Sequence, residues 1–196
     1  MSMRKKLLSP ALAGLMLALG APAFAAEAET VLGRSNLSEC IDAAAAAEQT
    51  GKAAESGLLA CQHALMAELS TTSDRVEALL SRGVLLLTQG KNALAIKDFD
   101  QALKLKPTSS AALNDRGIAH YALHHYDLAV SDFSASLALS PEHPERVLFN
   151  RALAYEDQRD LKRAYLDYRQ AAELNPTWDK PAHELARFTV ARSPES

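Results

Sequence analysis

The sequence predicts an all-α protein, a solenoid of antiparallel helical hairpins with a C-terminal capping helix, preceded by a cleavable export signal. Three observations predict it. Prolines recur at 107, 141 and 176, spaced by 34 and then 35 residues. Small and large residues recur in step with them at helical spacings, which is the pattern of a repeat array. The 196-residue chain also opens with a cationic and then apolar stretch that stands outside that period.

Arg4, Lys5 and Lys6 precede an apolar run of 14 residues, Leu7 to Gly20, and Ala23-Phe24-Ala25 supplies small residues at a signal-peptidase site. A membrane-spanning helix needs about 20 apolar residues, and this run is shorter and contains Pro10. The expectation is cleavage between Ala25 and Ala26. Residues 1–25 are then a signal peptide, and no membrane insertion follows its removal. Loss of three cations and no anion takes the formal net charge from −3 to −6. A mildly acidic chain without a basic run is poorly suited to nucleic acid or to an anionic membrane surface.

Residues 26–35 are expected to form a loose tail. Residues 36–72 read as a degenerate helical hairpin, Leu37 to Leu69, bent at Thr50-Gly51-Lys52. Its "CQHAL" (61–65) lies over "FDQAL" (99–103) of the next hairpin. Cys40 lies 11 residues before Gly51 and Cys61 lies 10 after it, so antiparallel helices place them opposite each other. Ala43 to Ala47, Ala60 and Ala64 let those helices approach closely enough for a disulfide. Export to an oxidising compartment favours the bridge, and two buried free thiols are the alternative. Ser70 to Asp74 is the connector, with Ser73 or Asp74 expected to cap the following helix.

Three segments then lie over one another: 76–109, 110–144 and 145–178. Gly83, Gly117 and Ala152 are small, and Ala95, Ala129 and Ala164 face them from the second helix of each hairpin. Phe99, Phe133 and Tyr168 are large, and Ala102, Ser136 and Ala171 are small again three residues on. Leu105, Leu139 and Leu174 close each second helix, two residues before a proline that cannot continue it. Residues 179–192 read as a capping helix, with Pro181 in its first turn and Ala182, Leu185, Ala186 and Thr189 on one face. A cap is needed because the outermost hairpin otherwise exposes an apolar face.

The segments "LLSRGVLLLTQGKNALAIKDFDQALKLKP", "LNDRGIAHYALHHYDLAVSDFSASLALSP" and "LFNRALAYEDQRDLKRAYLDYRQAAELNP" closely resemble the tetratricopeptide repeat family. They depart from it where Ala152 replaces the usual glycine, and where Leu86 and His120 replace a common aromatic. The resemblance implies a right-handed superhelix whose first helices line a concave groove for an extended peptide or a helix. The groove candidates are Leu80, Val84, Asn114, Asp115, Tyr121, Arg146, Phe149, Asn150 and Arg187, joined by Glu77, Ser81, Ile118 and Leu153. Asn and Arg can pair with a peptide backbone, while Tyr and Phe can anchor a side chain. The family's carboxylate-clamp variant needs Lys and Asn where this chain has Leu80 and Val84, so that subclass is not expected.

Other recurrences carry less chemistry. Arg82, Arg116 and Arg151 are each followed 16 residues later by Asp98, Asp132 and Asp167. Recurrence in every repeat suits ion pairs that clamp hairpins together, because an unpaired charge near the core is expensive. His120 and His124 are spaced i, i+4 as metal ligands can be, but the first stands in a packing column and the second in a turn. No Gly-x-Ser-x-Gly, His-Glu-x-x-His or phosphate loop is present, so no catalytic residue, metal or cofactor is assigned. The signal and the repeat style together lead to the expectation of a non-catalytic adaptor or scaffold of the bacterial periplasm, binding another protein. Two further readings are an assembly subunit that uses its convex surface and, resting only on the histidines, a metal-handling protein.

Overall fold

Side-chain caps at Thr71, Ser109 and Asp160 start three of the helices, and Pro144 starts a fourth. In a computed structural model, which describes residues 2–5, 36–66 and 71–191, nine helices follow one another. The first hairpin is α1 (Asn36–Thr50) and α2 (Glu55–Met66). The three repeats are α3 (Thr72–Thr88) with α4 (Asn92–Leu105), α5 (Ser110–Ala122) with α6 (Tyr126–Ala138), and α7 (Pro144–Asp157) with α8 (Leu161–Leu174). The short α9 (Asp179–Leu185) packs on α8. Two short strands, β1 (Ser2–Lys5) and β2 (Phe188–Ala191), pair antiparallel with Ser2 opposite Ala191. The fold is therefore all-α apart from this ladder, as the period implied. The cleavage site at Ala25–Ala26 and the tail at 26–35 lie outside the described residues.

Two expectations change. The cap of α3 is Thr71, not Ser73 or Asp74; Asp74 supplies the reciprocal half of a capping box, each side chain bonding the other's backbone N–H. The capping helix expected over 179–192 stops at Leu185, after which Ala186 and Arg187 turn the chain into β2. Past that turn Phe188 is buried, with its ring 5.9 Å from Tyr165 and 6.0 Å from Tyr168.

Within each hairpin the glycine and aromatic columns meet. A Cβ on Gly83 would stand 2.4 Å from Phe99 Cε1, and one on Gly117 would stand 2.7 Å from Phe133 Cε1. Glycine is what permits the ring to lie flat against the first helix. Phe99, Phe133 and Tyr168 are all fully buried there.

The turn between the two helices of a repeat requires a left-handed residue. Gly90 (φ 72°), His124 (φ 60°) and Arg159 (φ 65°) occupy that one position in successive repeats.

Each hairpin is also closed by a bidentate ion pair. Arg82 donates to Asp98 at 2.6 and 2.7 Å, Arg116 to Asp132 at 2.7 and 2.9 Å, and Arg151 to Asp167 at 2.7 and 2.9 Å. These pairs join the two helices of one hairpin rather than neighbouring hairpins. The clamp between hairpins is made by a third guanidinium nitrogen. Arg116 Nη1 reaches Asp100 at 2.7 Å and Arg151 Nη1 reaches Ser134 at 3.0 Å, each on the preceding hairpin.

Cys40 and Cys61 are bridged, with Cα atoms 4.7 Å apart, and both are fully buried. Around the bridge Ala44 and Ala47 of α1 pack against Val84 and Leu85 of α3. Because these residues are small, α1 lies closer to α3 than the later first helices lie to one another.

The inner face and its polar cluster

The first helices α3, α5 and α7 place their inner columns side by side. None of the thirteen sequence-predicted positions on that face is exposed. Glu77, Leu80, Tyr121, Arg146 and Arg187 are half-buried, whereas Ser81, Val84, Asn114, Asp115, Ile118, Phe149, Asn150 and Leu153 are buried. Eight of the thirteen positions are therefore closed off from solvent and five remain partly accessible.

Two physical reasons are visible. Val84 is covered by α1, whose alanines allow it to settle on α3. Phe149 is 2% exposed because the Tyr168 and Trp178 rings stand 5.4 and 5.1 Å from its own, making it a core residue between α7, α8 and the start of α9. Tyr121 keeps part of its surface, but its hydroxyl donates to Asp157 at 2.6 Å. Burial, and then that bond, raises its ionisation above the ordinary tyrosine range. Arg187 pairs with Glu156 at 3.4 Å and with Glu184.

The buried polar residues form a connected strip. Asn150 donates to Asn114 at 3.4 Å, and Asn114 donates to the Asp115 carboxylate at 3.0 Å. Asp115 is 0% exposed, and burial holds its carboxyl well above the usual range; the Asn114 bond lowers it and the charge of Glu48 raises it further. Glu48, on the last turn of α1, is itself raised to about 7 by burial, against the lowering influence of Arg146. Glu48 of α1, Asp115 of α5 and Arg146 of α7 thus influence one another's charge from three different first helices. Sequence reasoning identified Asp115 and Arg146 but not Glu48, which stands 67 positions before Asp115 and in no repeat column.

The histidines do not converge on one point. His124 Nδ1 lies 2.7 Å from the Tyr126 hydroxyl, and His120 sits 3.9 Å from Asp132 with its ring beside that of His125. Burial lowers the His120 pKa. Among the described residues no group of three or more His, Cys, Asp or Glu is placed to hold a metal ion. Among the same residues no helix is long and apolar enough to cross a membrane.

Stacked antiparallel hairpins with small-to-aromatic contacts inside each and first helices along one face define a helical-repeat solenoid. Two models described as tetratricopeptide repeat match residues 42–110 and 145–178, together more than half of the sequence, and the chain belongs to the tetratricopeptide repeat family.

Solved structures agree in fold. MamA (41-end) from Desulfovibrio magneticus RS-1 is 21% identical with a TM-score of 0.62, covering 78% of this chain and 82% of its own. The first repeat domain of Spaghetti (RPAP3), bound to an HSP90 peptide, is 24% identical with a TM-score of 0.55, covering 58% and 92%. The second repeat domain of human RPAP3, in complex with an HSP70 peptide, is 18% identical with a TM-score of 0.56, covering 59% and 96%.

Proposed function

We propose that this chain is a non-catalytic adaptor of the cell envelope that docks a peptide or helix of another protein on its inner face. The observation that carries this reading is the strip in which half-buried Tyr121 and Arg146 flank the Asn114–Asn150 amides. Tyr121 supplies an aromatic anchor and Arg146 a guanidinium, both partly accessible, over amides that are buried and bonded to each other. Two structural neighbours hold peptides, SRMEEVD and SGPTIEEVD. Both peptides are acidic, whereas this chain places Leu80 and Val84 where a carboxylate clamp would need Lys and Asn, so a different peptide chemistry is expected here.

Export is supported by the Arg4-to-Ala25 segment and by the disulfide, which persists in oxidising compartments. The intact mass of the protein recovered from the periplasm checks this part, because retention of residues 1–25 would reject it.

The docking reading is tested by capturing partners with the mature protein and with Tyr121→Ala, Arg146→Ala. Loss of a true anchor costs about 2 kcal/mol, roughly thirtyfold in affinity. Full capture by the double variant, at unchanged helicity, sinks the inner-face reading. The second reading would then take over, and it has its own support. Leu94 and Leu128 are exposed at matching positions of α4 and α6, and Leu105, Leu139 and Leu174 are exposed near the ends of the second helices, giving the convex face two apolar rows.

A further inference from the structure

We infer that the exposed face of α8, with the turn that precedes it, is a second docking site, which takes an acidic segment of a partner protein. The inference is independent of the inner-face reading, because none of its cations lies on a first helix. Columns that recur in every repeat serve stacking, whereas a set confined to one repeat marks a single locus. Arg159, Lys162, Arg163 and Arg169 stand where the first two repeats have Gly90 and His124, Ala93 and Asp127, Leu94 and Leu128, and Asp100 and Ser134. Four cations are thus gathered where neither neighbour has a lysine or arginine, in a chain of formal net charge −3. All four are exposed, and with Tyr165 and Leu166 they line a concavity of about 780 Å³.

Their positive charge is only partly answered. Among the described residues lining the concavity the one acid is Asp160, and Arg163 takes it. The Arg163 Nε donates to Asp160 at 2.6 Å, and its Cζ lies 4.4 Å from the centre of the Tyr155 ring. Arg169 has Glu173 at 3.5 Å, an exposed pair that water and salt weaken. Among the described residues Arg159 and Lys162 form no ion pair. Leu166 is 40% exposed, four residues after Lys162 and three before Arg169, so all three share one side of the helix. An acidic segment with an apolar residue between its carboxylates complements that side. A bare phosphate polymer would leave Leu166 and Tyr165 unburied. Exposed charges speed and select encounters more than they tighten them, so the binding is expected to depend on salt.

The test uses the chain from Ala26 onward, because β1, which packs on α8, belongs to the export signal proposed above. The probe is a fluorescein-labelled heptapeptide, Leu-Glu-Glu-Leu-Glu-Glu-Leu, beside a twin in which every glutamate is glutamine. Binding is read by anisotropy at about 50 and about 300 mM salt. At low salt the acidic peptide should bind about tenfold or more tighter than its twin, and the advantage should shrink at high salt. Lys162→Glu with Arg169→Glu should erase the advantage while circular dichroism stays unchanged. If that variant loses helicity, Lys162→Gln with Arg169→Gln answers the same question. Tyr121→Ala with Arg146→Ala should leave the advantage intact.

Equal binding of the two peptides, no binding of either, or an advantage that survives the α8 substitutions overturns the proposal and leaves the inner-face reading untouched. Loss of the advantage in Tyr121→Ala with Arg146→Ala instead assigns the acidic segment to the inner face, which also overturns it. Two further results would give the α8 face another occupant. One is binding to phosphatidylglycerol vesicles and the other is self-association in sedimentation, each abolished by Lys162→Glu with Arg169→Glu. Either result would overturn the assignment to a partner protein.

Discussion

Gly117 and the ring of Phe133 meet where neither can retreat: the glycine is on a buried helix face and the phenylalanine is fully buried. Adding one methyl group at Gly117 places it 2.7 Å from the ring, so α5 and α6 must separate. Gly117→Ala should therefore destabilise the protein by about 1–3 kcal/mol, measured as a lower urea midpoint, although alanine is the better helix former. Repeat three already carries Ala152 at this position, opposite Tyr168 rather than phenylalanine, and the exchange belongs to that pair. Arg159 makes the opposite case. It is exposed and held at φ 65°, in a region that costs an L-residue about 1–2 kcal/mol, whereas the equivalent Gly90 bears no such cost. Arg159→Gly should raise the melting temperature by about 2–4 °C, and a fall in that temperature would refute the strain argument.

At the scale of the element, the α1–α2 hairpin differs most from its neighbours. It lacks the large aromatic of the true repeats and builds its core from alanines and the Cys40–Cys61 bridge. Alanines bury little area, so the crosslink carries an unusual share of the hairpin's stability. A bridge spanning 21 residues contributes about 3 kcal/mol on the loop-entropy model. Reduction should thus lower the thermal midpoint while leaving most helicity in place, because α3 to α8 hold themselves through buried aromatics and bidentate pairs. Circular dichroism with and without reductant measures this; complete loss of helicity would mean that the three repeats depend on the first hairpin. The Arg116–Asp100 bond shows how the later hairpins avoid that dependence, since one guanidinium closes its own hairpin and holds the preceding one.

For the whole molecule, the buried acids govern how stability responds to pH. A carboxyl whose pKa is higher in the folded than in the unfolded chain binds more protons when folded. Its contribution is present at low pH and is lost as pH rises through the folded value. For Glu48 that window runs from the ordinary 4.5 to about 7, and Asp115 acts in the same direction. Urea midpoints should accordingly fall across that interval, and Glu48→Gln together with Asp115→Asn should flatten the profile. A midpoint that rises with pH in the wild type, and rises as steeply in the double variant, would show that these acids are not the controlling groups.

What the sequence determined by itself is what repeats or acts locally. The prolines at 107, 141 and 176, the glycine-to-aromatic columns and the Arg-to-Asp spacing of 16 carry the hairpins and their stacking, because each contact recurs at a fixed separation within one repeat. Tertiary structure alone decided where surfaces close. Nothing near Phe149 in the sequence announces that Trp178 will cover it, and nothing near Phe188 announces that burial beside Tyr165 and Tyr168 will end the last helix early. The influence of Glu48 on Asp115, and of Arg146 on Glu48, is likewise invisible in the repeat columns. How closely the alanine-rich α1 settles on α3 is set by packing between elements rather than by any local periodicity.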